Sequence, residues 1–147
     1  MYTYIEIINK QTTYTSWWKS LAQIFLIDNL GGDFSIHCWS DEQDTIQQVL
    51  QYGNICPSDW KYGSIISGKI TQNFIDFILN SPQLDSTLPQ GDRKISPFFN
   101  LFLGESFYSS HYGSEITFIS QPHNSEISDI IDSLLAKDLA VSYSLDS

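Results

Sequence analysis

The sequence predicts a single α+β domain in which a mixed or antiparallel sheet packs with about four helices. Some segments alternate apolar and polar residues as strands do, and others repeat apolar residues with the 3.6-residue period of helices. The two kinds of segment are interspersed along the chain. The strand-like segments of the C-terminal half are joined by short loops, which favours antiparallel pairing. The 147 residues are the size of one domain, and no linker or repeat divides them, so we expect residues 1–147 to fold as one unit.

The N-terminal part of the chain alternates between strand and helix. Tyr2–Ile8 is rich in aromatic and β-branched residues and predicts a strand. Ser16 is the expected cap of a helix over Trp17–Asp28, whose apolar residues recur at helical spacing and which a pair of glycines ends. Phe34–Trp39 predicts the second strand.

The middle of the chain predicts a third strand between two helices. Ser40 to Gln43 fits a capping box, in which the Gln43 side chain reaches back to the Ser40 amide. The helix that follows is expected to run to about Tyr52, and a loop comes next. Tyr62–Ser67 predicts a strand, and Ile70–Leu79 predicts a helix whose apolar stripe is wide enough for burial on more than one side.

The C-terminal part begins with the longest expected loop, over residues 81–96, which lack periodicity. Residues 98–103 are short and very apolar, and a buried strand and a helical turn fit them equally well. Glu115–Ser120 predicts a strand, and Ser125 is the expected cap of the clearest amphipathic helix in the chain. Leu139–Leu145 alternates and predicts a last strand at a sheet edge.

The net charge of the chain argues against some classes of function. Lys and Arg total 7 and Asp and Glu total 17, which gives a net charge of −10. Nucleic-acid binding needs a basic surface, so we expect no nucleic-acid partner. No window is apolar over the ~18 residues that a membrane span needs, and the first residues lack a basic stretch followed by an apolar run. We therefore expect no membrane association and a cytoplasmic location.

The cysteines and histidines predict no disulfide, metal site or cofactor. Cys38 and Cys56 have no CxxC partner, and cytoplasmic thiols stay reduced. We expect Cys38 to be buried in its strand and Cys56 to lie in a loop. His37 and Cys38 are neighbours on a strand and therefore point to opposite faces, which excludes a local nucleophile pair. His111 and His123 are expected on surface loops.

Catalytic motifs are missing from the sequence as well. No Gly-x-Ser-x-Gly elbow occurs, and Gly63–Lys69 is no phosphate loop because Ile70 stands where the Mg²⁺-binding hydroxyl would be. We therefore expect a binding protein and not an enzyme. One alternative stays open, which is an unrecognised catalytic or small-molecule site around the aromatic residues 98–112.

Two groups of acidic residues and two tryptophans are the candidate partner-binding residues. One acidic group opens the helix expected after Ser40, and the other belongs to the last helix. The helix dipole explains acids in a first turn, but it does not explain the surplus over the whole chain. Exposed tryptophans are common anchors of protein interfaces. The candidates are Asp41, Glu42, Asp44, Glu126, Asp129, Asp132, Trp18 and Trp60.

A small acidic α+β chain that starts at Met1 and lacks catalytic motifs resembles the bacterial immunity proteins. These proteins neutralise a cognate toxin, for example a nuclease, in contact-dependent inhibition and other polymorphic toxin systems. The resemblance implies a basic protein partner, because a nuclease cleft that holds phosphates is positive and an acidic protein competes for it. A phage-type anionic decoy of a DNA-binding enzyme is a further alternative, but a decoy needs long rows of acids and the acids here are scattered.

Overall fold

An eight-stranded antiparallel sheet is the frame of the protein. The computed structural model describes residues 1–10, 16–82, 88–89 and 92–145. These residues form the strands β1 (Tyr2–Ile7), β2 (Asp33–Trp39), β3 (Gly53–Cys56), β4 (Gly63–Lys69), β5 (Asn100–Leu103), β6 (Phe107–Ser110), β7 (Glu115–Ile119) and β8 (Ala140–Leu145). The helices are α1 (Ser16–Asp28), α2 (Gln43–Val49), α3 (Gln72–Leu79) and α4 (Ser125–Ala136).

The strand order is β3-β4-β2-β5-β6-β7-β1-β8, and all neighbouring strands are antiparallel. This open sheet with its helices confirms the predicted α+β class. The C-terminal strand β8 pairs with β1 alone and so lies at the sheet edge, as its alternation predicted. In the described ranges, no helix has the length and apolar character needed to cross a membrane.

All four helices pack on one face of the sheet. On that face the strands alternate as expected: Phe34, Ile36 and Cys38 of β2 are buried, and the residues between them are half-buried. Buried side chains of all four helices join the inward strand residues in one hydrophobic core. The Phe34 ring, for example, stacks on Phe74 of α3 with 3.9 Å between the ring centroids. The other face of the sheet carries none of the described helices.

Helix α1 lies in the middle of this layer, where it contacts both α3 and α4. Because the helix is enclosed, the adjacent Trp17 and Trp18 are both buried, with 3% and 1% of their surface exposed. Trp18 Nε1 donates a 3.0 Å hydrogen bond to Ser109 Oγ of β6. The expectation that Trp18 serves as a surface anchor is therefore wrong, since it is a core residue with a satisfied indole.

The turn between β2 and α2 differs from the predicted capping box. The Ser40 amide donates to the Tyr62 carbonyl oxygen at 2.8 Å, which continues the pairing of β2 with β4 and occupies that amide. Gln43 Nε2 instead donates to the Ser40 carbonyl oxygen at 2.5 Å. Helix α2 consequently begins at Gln43, with Glu42 as its N-cap, and it ends at Val49, before the predicted end.

Two further segments were predicted incompletely. Residues 53–56, expected in a loop, form β3, so Cys56 lies in an edge strand, where its Sγ donates to Ser67 Oγ at 3.2 Å. Residues 98–103, for which strand and helical turn were both open, form a strand from Asn100 onward. Of the expected loop over residues 81–96, residues 83–87 and 90–91 lie outside the described part of the chain.

The starts of α3 and α4 differ by one or two residues from the predicted positions. Ile70 precedes α3 because its amide donates to the Gly32 carbonyl oxygen at 2.8 Å. Thr71 is the N-cap, and its hydroxyl accepts from the Phe74 amide. The N-cap of α4 is Asn124 and not Ser125, because the Asn124 side chain accepts from the amide three residues on.

Candidate functional site

The helix-free face of the sheet, called here the open face, presents one residue from each strand in a continuous row. The strand registers place these residues directly opposite one another. From β3 to β8 the row consists of Asn54, Ser67, Ser35, Phe102, Tyr108, Thr117, Tyr4 and Tyr143. Its members are uncharged, so this part of the surface offers rings and hydroxyls in a chain whose net charge is −10.

Aromatic rings on the open face form a connected group, the open-face cluster. It consists of His37, Trp39, Trp60, Phe99, Phe102 and Tyr108. Phe102 stacks on Tyr108 at 4.2 Å between centroids, and Trp39 meets Trp60 edge-on at 5.0 Å. Burial in this cluster lowers the pKa of His37, because the charged imidazolium loses hydration there.

Trp60 is held against the sheet by a glycine. It lies in the loop before β4, and its ring covers Gly63, where an added Cβ would overlap ring carbons of Trp60 and the Cys38 carbonyl oxygen. Only a residue without a side chain allows this close approach. Of the two candidate tryptophans, Trp60 is therefore the one at the surface, and it is half-buried in the open-face cluster.

A pocket of about 590 Å³ opens where this cluster ends, at the C-terminal end of β2. Four separate parts of the chain form it: the turn into α2, the loop before β4, the segment before β5 and the turn after β6. The lining residues are Trp39, Ser40, Asp41, Glu42, Lys61, Tyr62, Lys94 and Tyr112. The pocket thus combines aromatic walls with two carboxylates and two lysines, whose formal charges balance. We refer to it as the acidic pocket after the carboxylates of Asp41 and Glu42.

The carboxylate of Glu42 accepts hydrogen bonds from two donors in the acidic pocket. Its side chain is only 12% exposed. Oε1 accepts from the Trp39 backbone amide at 2.8 Å, and Oε2 accepts from the Tyr112 hydroxyl at 3.0 Å. Two donors from different parts of the chain therefore orient this carboxylate, while the neighbouring Asp41 is exposed.

Tyr112 reaches Glu42 through an unusual backbone. His111, Tyr112 and Gly113 have φ angles of 51°, 58° and 88°, all in the left-handed region. A non-glycine residue there costs of the order of 1 kcal/mol or more, and such strain concentrates at functional sites. Burial raises the pKa of the Tyr112 hydroxyl, and its hydrogen bond to Glu42 raises that pKa further, so this hydroxyl remains a donor.

Lys94 brings a cation into the acidic pocket. Its Nζ lies 3.4 Å from Glu42 Oε2 and 4.3 Å from the centre of the Tyr112 ring. Both are attractive contacts for an ammonium group, one with a carboxylate and one with the electron-rich face of a ring. The Lys94 side chain is 47% exposed, so its ammonium sits at the mouth of the pocket.

The two acidic groups identified in the sequence lie far apart. Asp41 and Glu42 line the acidic pocket, and Asp44 is exposed in the first turn of α2. The other group is exposed on α4, which packs on β8, whereas α2 packs on β2. Those strands are five positions apart in the sheet, which is roughly 24 Å at the usual strand spacing. The structure therefore separates Glu126, Asp129 and Asp132 from the acidic pocket.

The remaining candidates for chemistry are dispersed. His37 and Cys38 point to opposite faces of β2, as predicted, and both cysteines are free thiols. His111 Nε2 lies 3.0 Å from Glu115 Oε2 at an exposed turn. Within the ranges described above, no three His, Cys, Asp or Glu side chains are grouped so that they could hold a metal ion.

Sequence reasoning identified Asp41 and Glu42 of the pocket lining and missed the other six residues, which are Trp39, Ser40, Lys61, Tyr62, Lys94 and Tyr112. Tyr112 belongs to the aromatic stretch 98–112, which was singled out for a possible ligand site, but nothing in its spacing connects it to Glu42. Comparison with protein-family models, curated proteins and solved structures finds no significant match to this chain.

Proposed function

We propose that this chain is a bacterial immunity protein, which neutralises a cognate basic toxin, for example a nuclease, by covering its active-site surface. It acts by binding and without catalysis, in the cytoplasm of the cell that it protects. The observation that carries the proposal is the acidic pocket, where an oriented carboxylate and aromatic walls already hold an ammonium group from Lys94. A surface that accepts its own cation is suited to accept the cation of a partner.

Long-range electrostatics support the same proposal. A chain with a net charge of −10 attracts a positive protein from a distance, and such steering raises association rates well above those of neutral pairs. Asp41 and Asp44 are exposed beside the pocket, so their charges act on an approaching partner. Glu42 is held by hydrogen bonds and acts at short range.

The pocket's size favours one alternative, a small-molecule site. Ligand pockets usually enclose about 300–1,000 Å³, and this pocket has a volume of about 590 Å³, although it is wide open to solvent. It includes Tyr112 from the aromatic stretch 98–112. Such a ligand would be a small cation, and it would raise the melting temperature by mass action in the absence of any protein partner.

The test asks whether the wild-type chain captures and inhibits a partner, and it compares the association rates of two matched charge variants. The double variant Asp41→Lys, Asp44→Lys alters the pocket side, and Asp129→Lys, Asp132→Lys makes the same charge change on α4. We expect a basic protein to be captured at low salt, released as salt rises, and inhibited in its own activity by the wild-type chain. Association should slow by tenfold or more in the first variant and by much less in the second, as expected for steering at one patch.

Equal effects of the two double variants on the association rate would show that the pocket side is not the binding surface. A captured protein whose activity persists in the complex would contradict neutralisation. Both variants must first keep the wild-type melting temperature, which is expected because all four substituted side chains are exposed.

A further inference from the structure

We infer that the acidic pocket binds one arginine side chain of the partner, in the position that the Lys94 ammonium now occupies. This inference rests on the proposed function, because it names the group that the partner inserts. It is carried by the contacts of Lys94, whose Nζ lies 3.4 Å from Glu42 Oε2 and 4.3 Å from the Tyr112 ring centre. In the free protein, the Lys94 ammonium occupies the site that the partner's cation takes in the complex.

The Glu42 carboxylate is already oriented to accept a cation. Its two oxygens are oriented by the Trp39 amide and the Tyr112 hydroxyl, so an entering cation finds an ordered acceptor. Tyr112 is held in turn by its left-handed backbone, with its amide bonded to the Phe99 carbonyl oxygen at 3.1 Å. A cation that enters therefore orders few further groups, which lowers the free-energy cost of binding.

The shape of the pocket favours arginine over lysine. Its volume of about 590 Å³ leaves room beyond a single ammonium group, and the rings of Trp39 and Tyr112 are flat walls. A guanidinium is planar, stacks on aromatic rings and presents several donors at once. Glu42 and the exposed Asp41 together offer more than one carboxylate for these donors, and the side chain of Lys61, the second lysine of the lining, is exposed to solvent. An ammonium group is not planar, so it cannot stack on the rings in the same way as a guanidinium.

Displacement of Lys94 is the step that regulates affinity. The Lys94–Glu42 pair is partly exposed and is worth no more than an ordinary surface ion pair, so an arginine replaces it at small cost. Removing the Lys94 amine should therefore raise the affinity for an added guanidinium by about two- to fivefold, the range that surface ion pairs correspond to. Lys69 provides a matched control, because its Nζ forms an exposed pair with Asp33 at 2.6 Å and lies outside the pocket.

The experiment titrates the full chain with N-acetyl-arginine amide and follows the indole N–H signals of its four tryptophans by NMR. The neutral isostere N-acetyl-citrulline amide and the N-acetyl-lysine amide whose side-chain amine is free are titrated in parallel. We expect the arginine compound to change the chemical shift of the Trp39 indole N–H. The lysine compound should change it less, and the citrulline compound should leave it unchanged. Trp17 and Trp18 are buried in the core and should not move with any of them.

Three variants complete the test. Lys94→Ala should lower the dissociation constant of the arginine compound two- to fivefold, and Lys69→Ala should leave it unchanged. Asp41→Asn should raise it, and this variant is expected to fold because Asp41 is exposed. Equal shifts with the citrulline compound, tighter binding of the lysine compound or an unchanged constant in Lys94→Ala would each overturn the inference. A toxin that is captured and inhibited while the arginine compound leaves Trp39 unmoved would keep the proposed function and reject the arginine pocket.

Discussion

Tyr112 donates its phenolic hydrogen to Glu42 Oε2 across 3.0 Å, although 70 positions of sequence separate the two residues. The bond joins the turn after β6 to the turn before α2, and so it ties the aromatic half of the acidic pocket to its carboxylate. Because the Glu42 side chain is 12% exposed, water replaces this donor only in part.

The variant Tyr112→Phe removes that donor and keeps the ring. We expect the free energy of unfolding to fall by about 1.5–3 kcal/mol, the range for a hydrogen bond to a charged group. Chemical denaturation measures the change. Tyr62→Phe is the control, because Tyr62 lines the same pocket but is 70% exposed, and it should change stability by less than about 0.5 kcal/mol. Equal stability of both variants would contradict a structural role for the Tyr112–Glu42 bond.

Alkaline titration should single out Tyr4 and Tyr112. Burial and a hydrogen bond to Glu115 raise the pKa of Tyr4 to about 12, and burial and the bond to Glu42 raise that of Tyr112. The folded state thus retains protons that the unfolded state loses above pH of about 10. The stability that these phenols contribute is complete below pH of about 10 and is lost as the pH rises towards 12.

Ultraviolet absorbance of phenolate measures this titration. Tyr4→Phe should remove one late-ionising phenol and should reduce the loss of unfolding free energy between pH of about 10 and 12. Tyr62→Phe is the control, since Tyr62 is 70% exposed. Simultaneous ionisation of all the tyrosines in the native protein would refute the hydrogen bonds from Tyr4 to Glu115 and from Tyr112 to Glu42.

Strand and helix positions followed from local patterns, because each depends on neighbours within a few residues. The alternation through Ile36 and Cys38 predicted both the strand and its buried face. The edge strand β3 was missed because it begins with Gly53 and is followed by Pro57, and because its pairing with β4, not its own composition, makes it a strand. The burial of Trp18 depended on how α1 is enclosed, which is a property of the assembled layer.

The sequence predicted the carboxylates of the acidic pocket but not the residues that contact them. Asp41 and Glu42 were found because they cluster at a helix start. Their partners Tyr112 and Lys94 come from distant parts of the chain, and the left-handed backbone that aims Tyr112 carries only one glycine, at position 113, as a local signal. Long-range contacts of this kind are set by topology and leave no spacing to detect.

The two cysteines should differ strongly in reactivity. Burial raises the pKa of the Cys38 thiol to about 12, with a further increase from the negative charge of Glu42. Cys56 is half-buried in an edge strand. A thiol-specific disulfide reagent near pH 8 should therefore label Cys56 in the native protein and both cysteines after denaturation, since the thiolate is the reactive form. Mass spectrometry of the peptides identifies the labelled residue, and native labelling of Cys38 at the rate of Cys56 would contradict its burial.

The substitution Gly63→Ala tests how Trp60 is held. The new Cβ would overlap both the Trp60 ring and the Cys38 carbonyl oxygen, and the carbonyl belongs to the backbone of β2 and cannot move cheaply. We expect a loss of about 1–3 kcal/mol in unfolding free energy, as in other overpacked sites, and a shift of tryptophan fluorescence towards that of exposed indole. Adding Trp60→Ala removes the ring from the overlap. If the ring accounts for part of the strain, the double variant loses less stability than the sum of the single variants, and strict additivity would show that Trp60 does not pack on Gly63.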